Sequence, residues 1–205
     1  MKYAIILCAV LSIWACNNQK KATNGSEGTA VDSSNAMGGS DAKAAMADPL
    51  NEIVPNEEYD TIMLGRINRN GLQQEPFSEW FTSTYDIQPV DSAMVTKIEP
   101  LLQDVSITVF MGTWCSDSQR EIPHLYKILD AADFDYDKLT VYAVDDMKTT
   151  PSNIEEEHNI AYVPTIIFSK NGEEIDRFVE YAQNTLEEDI YAILNGAEYK
   201  DPYEE

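Results

Sequence analysis

The sequence predicts an α/β fold: a central mixed β-sheet flanked by helices, over the second half of the chain. Three observations predict it. Val105 to Met111 is a short apolar, β-branched run that stops at Gly112, the pattern of a buried strand. Behind it, stretches of helical and strand period alternate in the order β-α-β-α-β-β-α. Asn171-Gly172 separates two further apolar runs, the strongest short signal for a hairpin.

Each element has its own signal. After the first strand, Ile122, Leu125, Tyr126, Ile128 and Leu129 repeat at helical spacing. Leu139 to Val144 reads as the second strand. Ser152 to Asn159 reads as a helix opened by a Ser152…Glu155 capping box. Thr165 to Ser169 and Glu174 to Val179 are the hairpin strands. Thr185…Glu188 is a second capping box, and its helix stops at Gly196. Upstream, residues 49–102 are expected to form a largely helical extension of the domain. Phe77 to Tyr85 reads as a helix with Pro76 near its first position, and Asp91 caps another that reaches Leu102 with a bend at Pro100. Ile62-Met63-Leu64 is a short strand candidate, followed by a turn at Asn70-Gly71.

The charge is large and uneven. The chain of 205 residues has 14 Lys and Arg against 36 Asp and Glu, a net charge of −22. In residues 1–48, Lys2, Lys20, Lys21 and Lys43 cancel Glu27, Asp32, Asp41 and Asp48, so the whole excess lies from Pro49 onward. Such a surface repels nucleic-acid phosphates and anionic headgroups, which excludes nucleic-acid binding and a polybasic membrane patch.

The start of the chain reads as an export signal over residues 1–15. Lys2 precedes an apolar run of 13 residues, Tyr3 to Ala15. A membrane span needs about 20. The run ends in Ile13-Trp14-Ala15-Cys16, which resembles the lipobox of bacterial lipoproteins. That resemblance implies cleavage before Cys16, lipid on its sulfur, and a domain facing the periplasm or another extracytoplasmic side of the cell envelope. Residues 17–48 are rich in Asn, Ser, Gly, Ala and Thr and cannot offset their ordering entropy. They are expected to form a disordered tether with a reach of roughly 30 Å.

Trp114-Cys115-Ser116-Asp117-Ser118 lies between the buried strand and the long helix. Pro123 follows eight residues after Cys115, and Val163-Pro164-Thr165 opens the hairpin. In this order the three features resemble the thioredoxin family over residues 100–197. Its redox motif sits at such a strand–helix junction, a proline kinks its active-site helix, and a cis-proline faces the reactive Cys. The resemblance implies a thiol-disulfide site of Cys115, Ser118 and Trp114, with Val163, Pro164 and Thr165 as the substrate groove. Within a chain, a Cys at a helix N-terminus meets the positive end of the helix dipole, which favours its thiolate. Asp117 works against that thiolate, and Arg120 is expected to offset it in part.

Three departures weaken the case for a fast dithiol reductase. Ser118 stands where the family has its second Cys, and is expected at most to donate a hydrogen bond to the Cys115 thiolate. Ile107, Val109 and Phe110 leave no buried acid in the strand. Glu180 and Tyr181 stand near the place of a family glycine. The three cysteines sharpen the picture: Cys8 leaves with the signal, Cys16 is lipidated, and Cys115 remains as a lone thiol. Two functions stay open: a monothiol reductase or isomerase acting on exported proteins with disulfides or thiols and resolved by an external thiol or reductant, or a catalytically inactive peptide-binding module. A thiol peroxidase ranks third, since Gly112 replaces the Thr of Thr-x-x-Cys. No cofactor is expected. His124 and His158 lack ligand spacing, so no metal is expected either. The chain is expected to be a monomer that meets the membrane only through its lipid. Asp145-Asp146 reads as a solvated turn, and Glu155-Glu156-Glu157 and Glu187-Glu188-Asp189 as exposed helix faces.

Overall fold

The computed structural model describes residues 49–203. The export signal, Cys16 and the tether lie outside them. In chain order the elements are β1 (Glu52–Asn56), β2 (Asp60–Ile67), α1 (Arg69–Leu72), α2 (Ser78–Ile87), α3 (Ser92–Ile98), β3 (Val105–Met111), α4 (Ser116–Ala131), β4 (Leu139–Ala143), α5 (Ile154–His158), β5 (Thr165–Lys170), β6 (Glu173–Val179) and α6 (Leu186–Asn195). The strands form one sheet in the order β1-β2-β4-β3-β5-β6. β3 and β4 are parallel and every other neighbouring pair is antiparallel, so the sheet is mixed as expected.

Two apolar clusters cover the two faces. Val105, Ile107, Val109 and Met111 of β3 point into the larger one, which collects α2, α3, α4 and α6. Phe110 points the other way, into a smaller cluster with Val144, Val163 and Ile167, against which Ile154 of α5 packs. β5 alternates likewise, Ile166 and Phe168 on one side and Ile167 on the other. This period of two fixes the register, because a slip by one residue would turn each set to the wrong face.

The extension over 49–102 departs from the helical expectation. It opens with the antiparallel hairpin β1–β2, and β2 joins the central sheet through Gly65↔Ala143 and Ile67↔Val141. Asn70-Gly71 is not a turn between strands: it lies in α1, which Asn68 caps by accepting from the Gly71 N–H. Pro76 precedes α2 by two residues and follows a cis bond to Glu75. Asp91 caps α3 through the N–H groups of Ala93 and Met94, and the chain tightens to a 3-10 turn at Glu99–Leu101.

Two acidic runs also differ from expectation. Glu187 and Asp189 are 3 % and 2 % exposed. Glu187 accepts from the Asp91 N–H and lies 3.3 Å from His124 Nε2, while Asp189 accepts from the Gln183 N–H at 2.7 Å. They are buried because they satisfy backbone donors and side chains of distant segments. Glu155 is buried for a similar reason: it accepts from the N–H and hydroxyl of Thr150. At α6 the expected cap is present, with Thr185 accepting from the Glu188 N–H and Gly196 at φ 72° ending the helix.

Asp130, near the end of α4, ties the extension to the domain. It accepts from Arg69 Nη1 at 2.7 Å and from the hydroxyls of Tyr85 and Tyr136, each at 2.7 Å. Burial alone would raise its carboxyl, but Tyr136, Tyr85 and Arg69 outweigh that and hold it below the ordinary carboxylate range. A depressed folded value contributes stability above the unfolded value, near pH 4, that is lost as the pH falls through the folded value. With its side chain 30 % exposed, water weakens each bond. Asp130→Asn should therefore cost about 2 kcal/mol at pH 7. In urea unfolding, the gap from wild type should narrow below pH 4. A gap independent of pH would contradict the assignment.

Candidate functional site

The site lies where β3 and β4 end. The Met111 carbonyl accepts from the Val144 N–H, which holds the two strand ends together. Gly112-Thr113-Trp114 then turns the chain, closed by the Cys115 N–H donating to the Gly112 carbonyl at 3.1 Å. Gly112 is required there: a Cβ on it would lie 2.5 Å from the Trp114 indole. The Thr113 hydroxyl accepts from the Met63 N–H of β2, so the extension braces this turn from behind.

Cys115 is the N-cap residue of α4, and its side chain takes no hydrogen bond from the helix. It is a free thiol, half-buried. A thiolate at this position lies on the axis of a 16-residue helix, at its positive end. Pro123 sits inside α4 and is buried; with no N–H it cannot serve the Gln119 carbonyl one turn earlier.

The Val163–Pro164 bond is cis, as the resemblance implies. Cys115 Sγ lies 3.2 Å from the Val163 carbonyl oxygen, to which the thiol donates. The loop around the proline is pinned on both sides. The Thr165 hydroxyl donates to the Tyr162 carbonyl at 2.7 Å, and the Glu180 N–H donates to the Pro164 carbonyl at 2.7 Å. Glu180 holds φ at 60°, the left-handed region that suits glycine. The departure noted in the sequence thus changes the residue and keeps the glycine-like backbone. Its carboxylate accepts from Tyr203, and the Tyr203 ring stacks on Tyr162 at 3.9 Å, so the end of the described chain lies against the proline loop.

One expected contact is replaced by another. Ser118 is fully buried, and its hydroxyl accepts from the Gly112 N–H at 3.2 Å. Among the described residues it makes no hydrogen bond to Cys115; its packing steadies the turn below the thiol. Arg120 contacts Asp117 at 2.6 Å and Glu121 at 2.8 Å, one cation shared between two carboxylates, so it offsets the charge of Asp117 in part. Burial pushes the Glu121 carboxyl up, and Arg120 opposes it.

The sequence did not signal the neighbours of Trp114. Its Nε1 donates to the Val144 carbonyl at 3.0 Å, and its ring stacks on Tyr59, with centroids 5.7 Å apart. Lys148 Nζ lies 5.8 Å from the ring centroid. Tyr59 comes from the β1–β2 turn, where Asn56 Oδ1 accepts from the N–H groups of Glu58 and Tyr59. Loss of hydration, with the nearby carboxylates of Glu58 and Asp146, holds the Tyr59 phenol above its ordinary range. The turn residues Asn56 to Asp60 were the available signal; nothing local shows that they reach Trp114. Asp145 accepts from the Thr149 N–H and hydroxyl, a self-contained turn.

Residues 94–192 match the family model of thioredoxin. Among solved structures, the chain is similar to thioredoxin O2 from Arabidopsis thaliana in its oxidized state, at 23 % identity over 45 % of this chain and 79 % of that one, with a TM-score of 0.30. It is similar to mitochondrial thioredoxin 3 from Saccharomyces cerevisiae, at 23 % identity over 46 % and 84 % of the two chains, with a TM-score of 0.28. A protein of unknown function from Pseudomonas aeruginosa gives 13 % identity over 58 % and 84 %, with a TM-score of 0.46. These scores are too low to inform the chemistry. No curated protein matches the chain. The family match over residues 94–192 and the mixed sheet together show a thioredoxin-like fold.

Proposed function

We propose that the chain is a thiol-disulfide exchange protein of the bacterial cell envelope, working through the single thiol of Cys115. The Cys115 thiolate attacks one sulfur of a partner disulfide, a mixed disulfide forms, and the second partner sulfur leaves as a thiolate that takes a proton from water. With no second Cys beside it, release waits for an external thiol or for the partner's own second cysteine. Reduction or isomerisation of exported proteins suits this better than rapid dithiol turnover. The observation that carries the reading is the meeting of three parts: a free, half-exposed thiol, the N-terminus of α4, and a carbonyl preceding a cis-proline, 3.2 Å from the sulfur. The test is alkylation by neutral iodoacetamide at pH 7. The native chain should react faster at Cys115 than the urea-unfolded chain, since only the native chain has the helix terminus. An equal or slower native rate favours the binding-module reading. That reading draws on one observation of its own, that the thiol already occupies the Val163 carbonyl.

The reading includes a lipid anchor on Cys16 and a tether that holds the domain clear of the membrane. Among the described residues no helix is long and apolar enough to cross a membrane. The intact mass of the mature protein should equal the chain from Cys16 plus its acyl groups. An unmodified Cys16 or a retained Met1 would refute the anchor.

A further inference from the structure

The extension forms a cavity of about 250 Å³ against the reactive motif. Tyr59 and Thr61 line it from the hairpin, Phe77 and Trp80 from the start of α2, and Trp114 and Gln119 from the motif itself. Three features of it point to one class of occupant. Tyr59, Trp80 and Trp114 present aromatic rings, whose faces attract a cation. Trp114 is already engaged, stacked on Tyr59 and with the Lys148 ammonium 5.8 Å from its ring centroid, so Trp80 and the outer face of Tyr59 are left to meet the occupant. The chain beside the lining residues is acidic: Glu57, Glu58 and Asp60 surround Tyr59, Glu75 and Glu79 stand on either side of Phe77, and all five are exposed. No Lys or Arg occurs within these two stretches, residues 56–62 and 74–81.

We propose that this cavity is a subsite for a lysine or arginine side chain of the partner polypeptide, next to the cysteine that Cys115 engages. The proposal rests on the thiol-exchange reading and names a feature of its partners. Apolar side chains would meet the rings but gain nothing from the carboxylates, and acidic ones would be repelled by them. The net charge of −22 also draws basic partners from a distance. The subsite depends on the extension for most of its walls, which gives residues 49–102 a role in choosing partners as well as in bracing the fold.

The test uses the full chain with Cys115→Ser, so that no covalent chemistry intervenes. Short neutral peptides carry Arg, Lys, Leu or Glu at each of two positions on either side of a serine that replaces the cysteine. Tryptophan fluorescence reads binding. The Arg and Lys peptides should bind about tenfold more tightly than the Leu and Glu peptides, the order expected for a partly desolvated cation over aromatic rings. Tyr59→Leu, on an exposed turn, and Trp80→Leu should each remove the preference. Equal affinities, a preference for Leu, or a preference that survives both substitutions would overturn the proposal. In parallel, the wild-type reaction with neutral 2,2′-dithiodipyridine reads the exchange chemistry alone, so a failure of that chemistry and a failure of the subsite give different results.

Discussion

Replacing Ser118 by Cys should shorten the life of mixed disulfides on Cys115 by roughly 10²-fold, because an intramolecular thiol replaces one that must arrive from solution. In wild type the adduct has no internal exit. Ser118 lies in the first turn of α4, three residues from Cys115, and its side chain is fully buried beneath the Gly112-Thr113-Trp114 turn. A thiol there would be shielded from external reagents and still stand next to the Cys115 sulfur in sequence and along the helix. The volume of the side chain changes little. The cost comes from the Gly112 N–H, which now donates to the Ser118 hydroxyl and would face a weaker sulfur acceptor. That cost should be about 1 kcal/mol. A pulse of disulfide-bearing substrate, followed by non-reducing electrophoresis over time, reads both the lifetime and the released product. If the adducts persist as long as in wild type, position 118 does not face the mixed disulfide.

Gly112→Ala should damage the site more than its size implies. The added carbon would lie 2.5 Å from the Trp114 ring, and the ring cannot retreat freely. Its Nε1 is bonded to the Val144 carbonyl, and its face is stacked on Tyr59. Relief requires breaking one of these or shifting the Gly112 backbone, whose N–H the Ser118 hydroxyl receives. A loss of about 2 to 3 kcal/mol in stability is expected. The tryptophan emission should move to the red as Trp114 gains water, and alkylation of Cys115 should change with it, since the same turn sets both residues. An unchanged emission spectrum and unfolding midpoint would show that the turn tolerates a side chain.

What the sequence made legible follows from where each signal is stored. β3, α4 and the β5–β6 hairpin are encoded locally, by apolar period and turn residues, and the three strands lie within one residue of their expected bounds. β1 carries only Glu52, Ile53, Val54, Pro55 and Asn56, half-exposed at an edge of the sheet, with a proline tolerated because the edge needs no donor there. No local pattern distinguishes such a strand from a loop. Asn70-Gly71 looked like a turn because the pair often is one; Asn68 captured it as a helix start instead. Glu187 and Asp189 looked solvated because their partners, the Asp91 and Gln183 N–H groups and His124, are contributed by other segments.

The site divides in the same way. Cys115, Trp114 and Val163-Pro164 were legible because a spaced motif holds them. Tyr59 was not, since its place on Trp114 depends on a hairpin turn 55 residues earlier in the chain, far outside any local window. Arg120 had one visible partner in Asp117, and only the helix geometry shows that Glu121 shares it.

The central claim is that Cys115 is a nucleophile toward partner disulfides. The most direct measurement is covalent capture: the full chain is expressed in its envelope, thiols are quenched with acid, and adducts are separated without reductant. Wild type should give discrete mixed disulfides that thiol reductants dissolve, and Cys115→Ala should give none of them. An identical adduct pattern from wild type and Cys115→Ala would contradict the claim and leave the domain as a binding module on a thioredoxin-like fold.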